Sequence, residues 1–208
     1  MKGRVLIVAG SDSGGGAGIQ ADIKALSANG VFAMSVVTAV TAQNTEEVTD
    51  VFELPVSIIA AQIDAIFDDF EVAAVKTGML SSAAVVDVVA RMLKPQNVPH
   101  LVVDPVMVAT SGAKLLKPSA IRAIQRELLP LATLVTPNLD EAQILVSRPL
   151  RAVEDLRSAA REIHERFGCA ALLKGGHLRG LSEAVDIFYD GKTELLLTAP
   201  FVKGVSTH

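Results

Sequence analysis

The chain has 208 residues, is 50% hydrophobic and 20% charged, and carries a formal net charge of −4; that length and apolar content can bury a sizeable core, so one domain over residues 1–208 is expected. No run of Lys or Arg stands out, which argues against the basic footprint that nucleic-acid binding requires and favours a small-molecule ligand. A lone Cys169 excludes an internal disulfide framework, and His100, His164, His177 and His208 show no metal-ligand spacing, so cytoplasmic residence is expected.

The N-terminus passes from Met1-Lys2-Gly3-Arg4 into Val5-Leu6-Ile7-Val8-Ala9, too short before Gly10 for a signal peptide or a membrane span. It reads as a buried first strand. Further short apolar runs at 36–40, 72–75, 101–103, 133–135 and 170–173 suit strands covered on both faces. Helix-period stretches separate them: Ile19, Ile23 and Leu26, closed by Asn29 and a capping Gly30, then Ile59, Ile63 and Ile66. Ser81 or Ser82 can cap the helix carrying Val85, Val86, Val89 and Leu93, and Pro118 suits the first turn of the one carrying Ile121, Ile124 and Leu128. Near the end, Asp190-Gly191 between 184–189 and 194–197 signals a hairpin. The alternation of strand and helix implies an α/β fold with a mostly parallel sheet, helices on both faces, and functional loops at the carboxyl ends of the strands.

Five glycines fall in the nine residues Gly10-Ser11-Asp12-Ser13-Gly14-Gly15-Gly16-Ala17-Gly18, between the first strand and a helix, where free amides favour an anion or a polar ligand edge. The bland alternative is a tight turn with no ligand. Gly16-Ala17-Gly18-Ile19-Gln20-Ala21 satisfies a loose dinucleotide fingerprint, but 36–41 lacks the acidic residue that such a site needs, and no lysine completes a Walker sequence. Asp22 lies early in the following helix, where a solvated acid is the common case. Gln43, directly after the second strand, is either a polar loop residue or a donor-acceptor pair for a planar ring edge.

Asp104 ends the apolar strand 101–103 and is either paired or aimed into a cleft where a cation would satisfy it. Glu141 follows Asn138 by three residues at a helix start, so the two can face one cleft, or simply cap the helix. Lys174, followed by Gly175-Gly176, is placed either to meet a phosphate or to snorkel from a strand end. Met79 and Met107 can pad a pocket or the core, and Cys169 and His177 have no partner at a recognisable spacing.

Six ordered segments then carry a resemblance: residues 9–22, Thr41-Ala42-Gln43-Asn44-Thr45, Lys76-Thr77-Gly78-Met79-Leu80, Asp104-Pro105-Val106-Met107, Thr136-Pro137-Asn138 with Glu141, and Leu173-Lys174-Gly175-Gly176-His177. Together they resemble the hydroxymethylpyrimidine and phosphomethylpyrimidine kinase family of the ribokinase-like superfamily, over the whole chain. The resemblance implies a three-layer sandwich on a mostly parallel central sheet. It implies that Gln43 and Asp22, with backbone near Gly10 and Ala17, orient a pyrimidine whose faces Met79 and Val106 cover. Asp104 and Glu141 would organise Mg²⁺, and Asn138 and Lys174, with Glu141 beside them, would attend the phosphates of ATP. The implied reaction moves the γ-phosphoryl group to 4-amino-5-hydroxymethyl-2-methylpyrimidine and then to its monophosphate, giving the diphosphate for thiamine synthesis. A homodimer without nucleic-acid or membrane partners is implied as well.

In this family a Thr-His pair precedes a Gly-Thr-Gly-Cys anion hole, whereas the sequence stops at Thr207-His208. The expectation is therefore a portion of a longer protein, with its general base and anion hole beyond His208. A pyridoxal kinase is the alternative enzyme, and a pyrimidine-binding protein without catalysis is the alternative outside enzymes.

Overall fold

A computed structural model describes residues 3–107, 116–176, 178 and 182–201. Among the described residues, nine strands form one sheet in the order β3-β2-β1-β4-β5-β6-β7-β8-β9. They are β1 (Arg4–Asp12), β2 (Phe32–Gln43), β3 (Val48–Glu53), β4 (Ala74–Thr77), β5 (Leu101–Val103), β6 (Leu134–Val135), β7 (Ala170–Lys174), β8 (Glu183–Tyr189) and β9 (Glu194–Pro200). The strands β2, β1, β4, β5, β6 and β7 are parallel, while β3 pairs antiparallel with β2 at one edge, and β8 with β7 and β9 with β8 at the other. The helices are α1 (Gly18–Ala28), α2 (Val56–Asp69), α3 (Ala83–Leu93), α4 (Pro118–Ala123), α5 (Leu139–Val146) and α6 (Val153–Phe167).

Period-two alternation divides the sheet's apolar residues between two layers. Leu6 and Val8 of β1 join one large core with residues of α2 through α6, including Ile59, Val85, Ala123, Leu145 and Leu156. Ile7 and Ala9 point the other way and pack with Ile19 of α1 in a small separate cluster. Three layers result, in agreement with the ribokinase-like sandwich. Each fully buried Leu or Ile of the large core contributes about 1.5–3 kcal/mol, which is why the short, wholly apolar runs become the inner strands.

Local chemistry sets most boundaries. The Ser82 hydroxyl accepts from the Val85 amide and starts α3. Gly30, at φ 74°, stops α1 in a conformation that suits glycine. The Asp190 carboxylate takes the amides of Lys192 and Thr193 and turns β8 into β9.

Two elements go beyond the sequence expectation. The fully exposed edge strand β3 has no buried face to impose an apolar pattern. The amphipathic α6 buries Leu156, Ala159, Ala160 and Ile163 at helical spacing and ends at Gly168, φ 78°. Strand β1 also runs through Gly10 and Ser11 to Asp12, three residues past the expected apolar run.

The chain leaves β1 towards β2 on one side, and leaves β4 towards β5 on the other. Between the carboxyl ends of β1 and β4 the connections diverge, which opens the crevice where α/β sheets bind ligands. Among the described residues, no helix is long and apolar enough to cross a membrane.

Candidate active site

Asp12, at the carboxyl end of β1, is only 3% exposed. Its carboxylate accepts from the amides of Gly14 at 2.8 Å, Gly16 at 2.9 Å and Ala17 at 2.8 Å. Those amides are thus engaged by an internal anion and not free for a nucleotide phosphate, in keeping with the missing P-loop lysine. The Ser13 hydroxyl donates to the Gln43 carbonyl at 2.6 Å and accepts from the Gln43 amide at 2.8 Å, latching the loop to the end of β2. Gln20 accepts from the Asp12 amide and donates to the Ser11 hydroxyl. The glycine-rich segment is therefore a rigid wall.

Two of its glycines stand in close approach, and at Gly18 the neighbour is backbone that cannot yield. A Cβ on Gly18, where φ is +57°, would stand 2.5 Å from the Gly10 carbonyl oxygen, and one on Gly10 would stand 2.7 Å from the Met79 Cε. Gly10, Met79 and the start of α1 are thus brought together. Ala17, which immediately precedes α1, is fixed through its amide by Asp12. Gln43 is half-buried, with its Oε1 3.1 Å from the Thr41 hydroxyl and its carboxamide donors not engaged by that contact.

Across the crevice stands a chain of charges. Asp22 of α1 is not simply solvated: its Oδ2 lies 2.7 Å from the Lys76 ammonium at the end of β4. That ammonium is also 3.8 Å from Asp104 Oδ2, and the Lys174 ammonium is 3.3 Å from Asp104 Oδ1. Thr136 contributes a hydroxyl 3.4 Å from the same Asp104 oxygen. Asp104, Lys174 and the β6–α5 connection meet here because Lys174 donates its amide to the Pro137 carbonyl and bridges to Asn138.

Asn138 and Glu141 form a capping box at the start of α5. The Glu141 amide donates to the Asn138 side chain at 2.9 Å, and Glu141 Oε2 accepts from the Asn138 amide at 2.8 Å. Glu141 Oε1 accepts from the Met107 amide at 3.2 Å, tying the half-buried Val106 and its loop to α5. Glu141 is 2% exposed, and burial, with the nearby Asp104 charge adding to it, raises its carboxyl from 4.5 to about 7 despite those hydrogen bonds. It stands behind Asp104, whereas Asp104 is 24% exposed at the crevice. Among the described residues no group of three or more His, Cys, Asp and Glu is arranged to hold a metal. Of Asp104 and Glu141, only Asp104 offers an accessible carboxylate, which fits a largely hydrated Mg²⁺ rather than a cage built wholly of protein.

A family model described as phosphomethylpyrimidine kinase matches residues 12–208. The chain belongs to that family. A hydroxymethylpyrimidine/phosphomethylpyrimidine kinase of Rhizobium meliloti is 50% identical across 98% of this chain and 76% of its own length. Among solved structures, a Clostridium difficile phosphomethylpyrimidine kinase matches with a TM-score of 0.88 at 45% identity, over 94% of this chain and 84% of that one. A Bacillus subtilis pyridoxal kinase solved as an ADP complex matches with a TM-score of 0.87 at 35% identity, over 98% of this chain and 76% of that one.

Lys76, Thr136 and Asp12 are the crevice residues that sequence reasoning missed. Lys76 opens the segment Lys76-Thr77-Gly78-Met79-Leu80, but a single lysine near the end of a short strand carries no pattern of its own. Asp12 was one residue of the glycine-rich run, and only the folded loop shows that its carboxylate organises that run. Thr207 and His208, on which the expected entry to an anion hole rests, and His177 lie outside the described residues.

Proposed function

We propose that this chain is the catalytic scaffold of an ATP-dependent phosphotransferase acting on 4-amino-5-hydroxymethyl-2-methylpyrimidine and on its monophosphate, in thiamine synthesis. Family membership supports the reaction class, and one geometric observation carries the reading. An unbroken line of charges, Asp22, Lys76, Asp104 and Lys174, crosses the crevice from the glycine-rich wall to the α5 cap.

On this reading the two halves of the crevice have different tasks. Gln43 and Asp22 read the edge of the pyrimidine, backbone near Gly10 and Ala17 bounds it, and Met79 and Val106 cover its faces. Lys174 and Asn138 attend the nucleotide phosphates, with Glu141 holding Asn138 and the 104–107 loop in place. Asp104 would hold Mg²⁺ through water, with Glu141 behind it; when bound, that ion offsets negative charge on the phosphates. Phosphoryl transfer needs little covalent help from the protein, so catalysis consists of positioning the acceptor oxygen and stabilising charge. A homodimer in the cytoplasm completes the proposal.

A coupled ATP assay on the purified protein, with the hydroxymethylpyrimidine, its monophosphate and pyridoxal as acceptors, tests it. Both pyrimidines are expected to be phosphorylated with higher kcat/KM than pyridoxal. The 35% identity to the Bacillus subtilis enzyme supports pyridoxal as the second reading, and a higher kcat/KM for pyridoxal would establish that one instead. Pyrimidine binding without ATP consumption would point to a binding protein.

A further inference from the structure

Lys76 occupies the junction between the two halves of the crevice. Its ammonium pairs with Asp22 on the acceptor side and stands 3.8 Å from Asp104 on the nucleotide side, with the side chain 25% exposed. A Cβ on Gly78 would lie 3.3 Å from this ammonium and 3.0 Å from the Ala9 Cβ, so a bare backbone segment, one residue before Met79, leaves the ammonium its room. Lys174 lies on the other side of Asp104, against Asn138. Lys24 bonds the Gly15 carbonyl at the exposed outside of the loop.

An acceptor that already carries a phosphate brings nearly two negative charges at neutral pH. It brings them into a crevice edged by the Asp22 and Asp104 carboxylates, where an unneutralised anion is repelled. An alcohol makes no such demand. An ammonium has three donors, and one bond to Asp22 leaves two others able to turn to a ligand. We propose that Lys76 is the specificity-determining residue for the phosphorylated acceptor: it neutralises Asp22 when the alcohol is bound and also binds the acceptor phosphate when the monophosphate is bound. This rests on the pyrimidine reading above, with both compounds as acceptors.

Calorimetric binding of the hydroxymethylpyrimidine and of its monophosphate, without nucleotide, tests the role. Lys76→Met keeps an apolar stem and removes the charge, while Lys76→Arg keeps the charge. The expected result for Lys76→Met is a loss of about 10-fold or more in monophosphate affinity beyond any loss for the alcohol, as expected when one partner of a close charge pair is removed. Lys76→Arg should recover most of that difference. The wild-type monophosphate affinity should also fall steeply with added salt while that of the alcohol stays nearly level. Equal losses for the two ligands would reduce Lys76 to a structural partner of Asp22 and overturn the proposal. A salt-insensitive monophosphate affinity overturns it even if Lys76→Met does not fold. If wild type binds the alcohol but not the monophosphate, the proposal falls and the alcohol reading stands; if it binds neither, the pyrimidine reading falls first.

Discussion

Individual side chains in the crevice do separable things, and their substitutions should separate them too. On the proposed reading, Gln43→Ala removes a contact to the pyrimidine edge and none to phosphate, so acceptor affinity should fall by about 10-fold while ATP affinity stays near wild type. Titration calorimetry with each ligand checks this, and an unchanged acceptor affinity would remove Gln43 from the site. Glu141 makes a prediction of the opposite kind, about stability. Its carboxyl is raised from 4.5 to about 7 in the folded protein, chiefly by burial, so the native state holds an extra proton between those values. The stability this supplies is complete below about pH 4.5 and is lost as pH rises through 7, on the order of 3 kcal/mol in all. Thermal melts from pH 5 to 8 should therefore show a decline in Tm that is shallower in Glu141→Gln. Identical slopes would mean that Glu141 is already ionised across the range.

At the scale of elements, the junction of β1 with α1 is built by contact distances that admit no side chain. Gly18→Ala would place a Cβ 2.5 Å from the Gly10 carbonyl at a positive φ, and Gly10 in turn packs on Met79. The variant should lose about 1–3 kcal/mol of stability and weaken acceptor binding along with it, since the strained turn and the pocket wall are one structure. Chemical denaturation and acceptor titration measure the two effects; a destabilised variant with wild-type acceptor affinity would uncouple the turn from the pocket. Helix α6 is a contrast. Leu156 is fully buried and its Cδ1 packs against Gly175, on the side away from Gln43 and Asp22 in sheet order, so Leu156→Ala should cost about 2–5 kcal/mol while leaving the acceptor Kd unchanged. The sequence carried the α6 pattern in Leu156, Ala159, Ala160 and Ile163, whereas β3 had no comparable mark. An edge strand exposed on both faces alternates nothing, and its existence depends on pairing with β2.

Across the whole molecule, the large core joins β1, β2 and β4 to β8 with α2 through α6. Tyr189 is the sole tyrosine in a chain without tryptophan, and it packs against that core from the far end of β8. Its fluorescence and the helical circular dichroism signal should lose structure at the same denaturant concentration, as a single cooperative unit requires. Separate midpoints would show that the β8–β9 end melts on its own. The fold class was legible in the sequence because inner parallel strands must be apolar on both faces and amphipathic helices must repeat every three to four residues; both constraints are local and leave marks in residue order. Asp22, Gln43, Asp104, Asn138 and Lys174 could likewise be placed at strand ends and helix starts from order alone, where α/β sheets hold their ligands. Which of them touch was another matter. Lys76 meets Asp22 across 54 positions of sequence, and Asp104 meets Lys174 across 70. Pairings of that kind follow from strand order in the sheet, which places β4 beside β1 and brings β5 and β7 to either side of β6. Sequence alone thus determined the layers and the ends of the strands at which chemistry can occur. Only the tertiary structure decided that Asp12 consumes the loop amides, that Glu141 is a buried cap, and that Lys76 stands between the two halves of the crevice, because charge and hydrogen-bond partners are chosen by proximity in space.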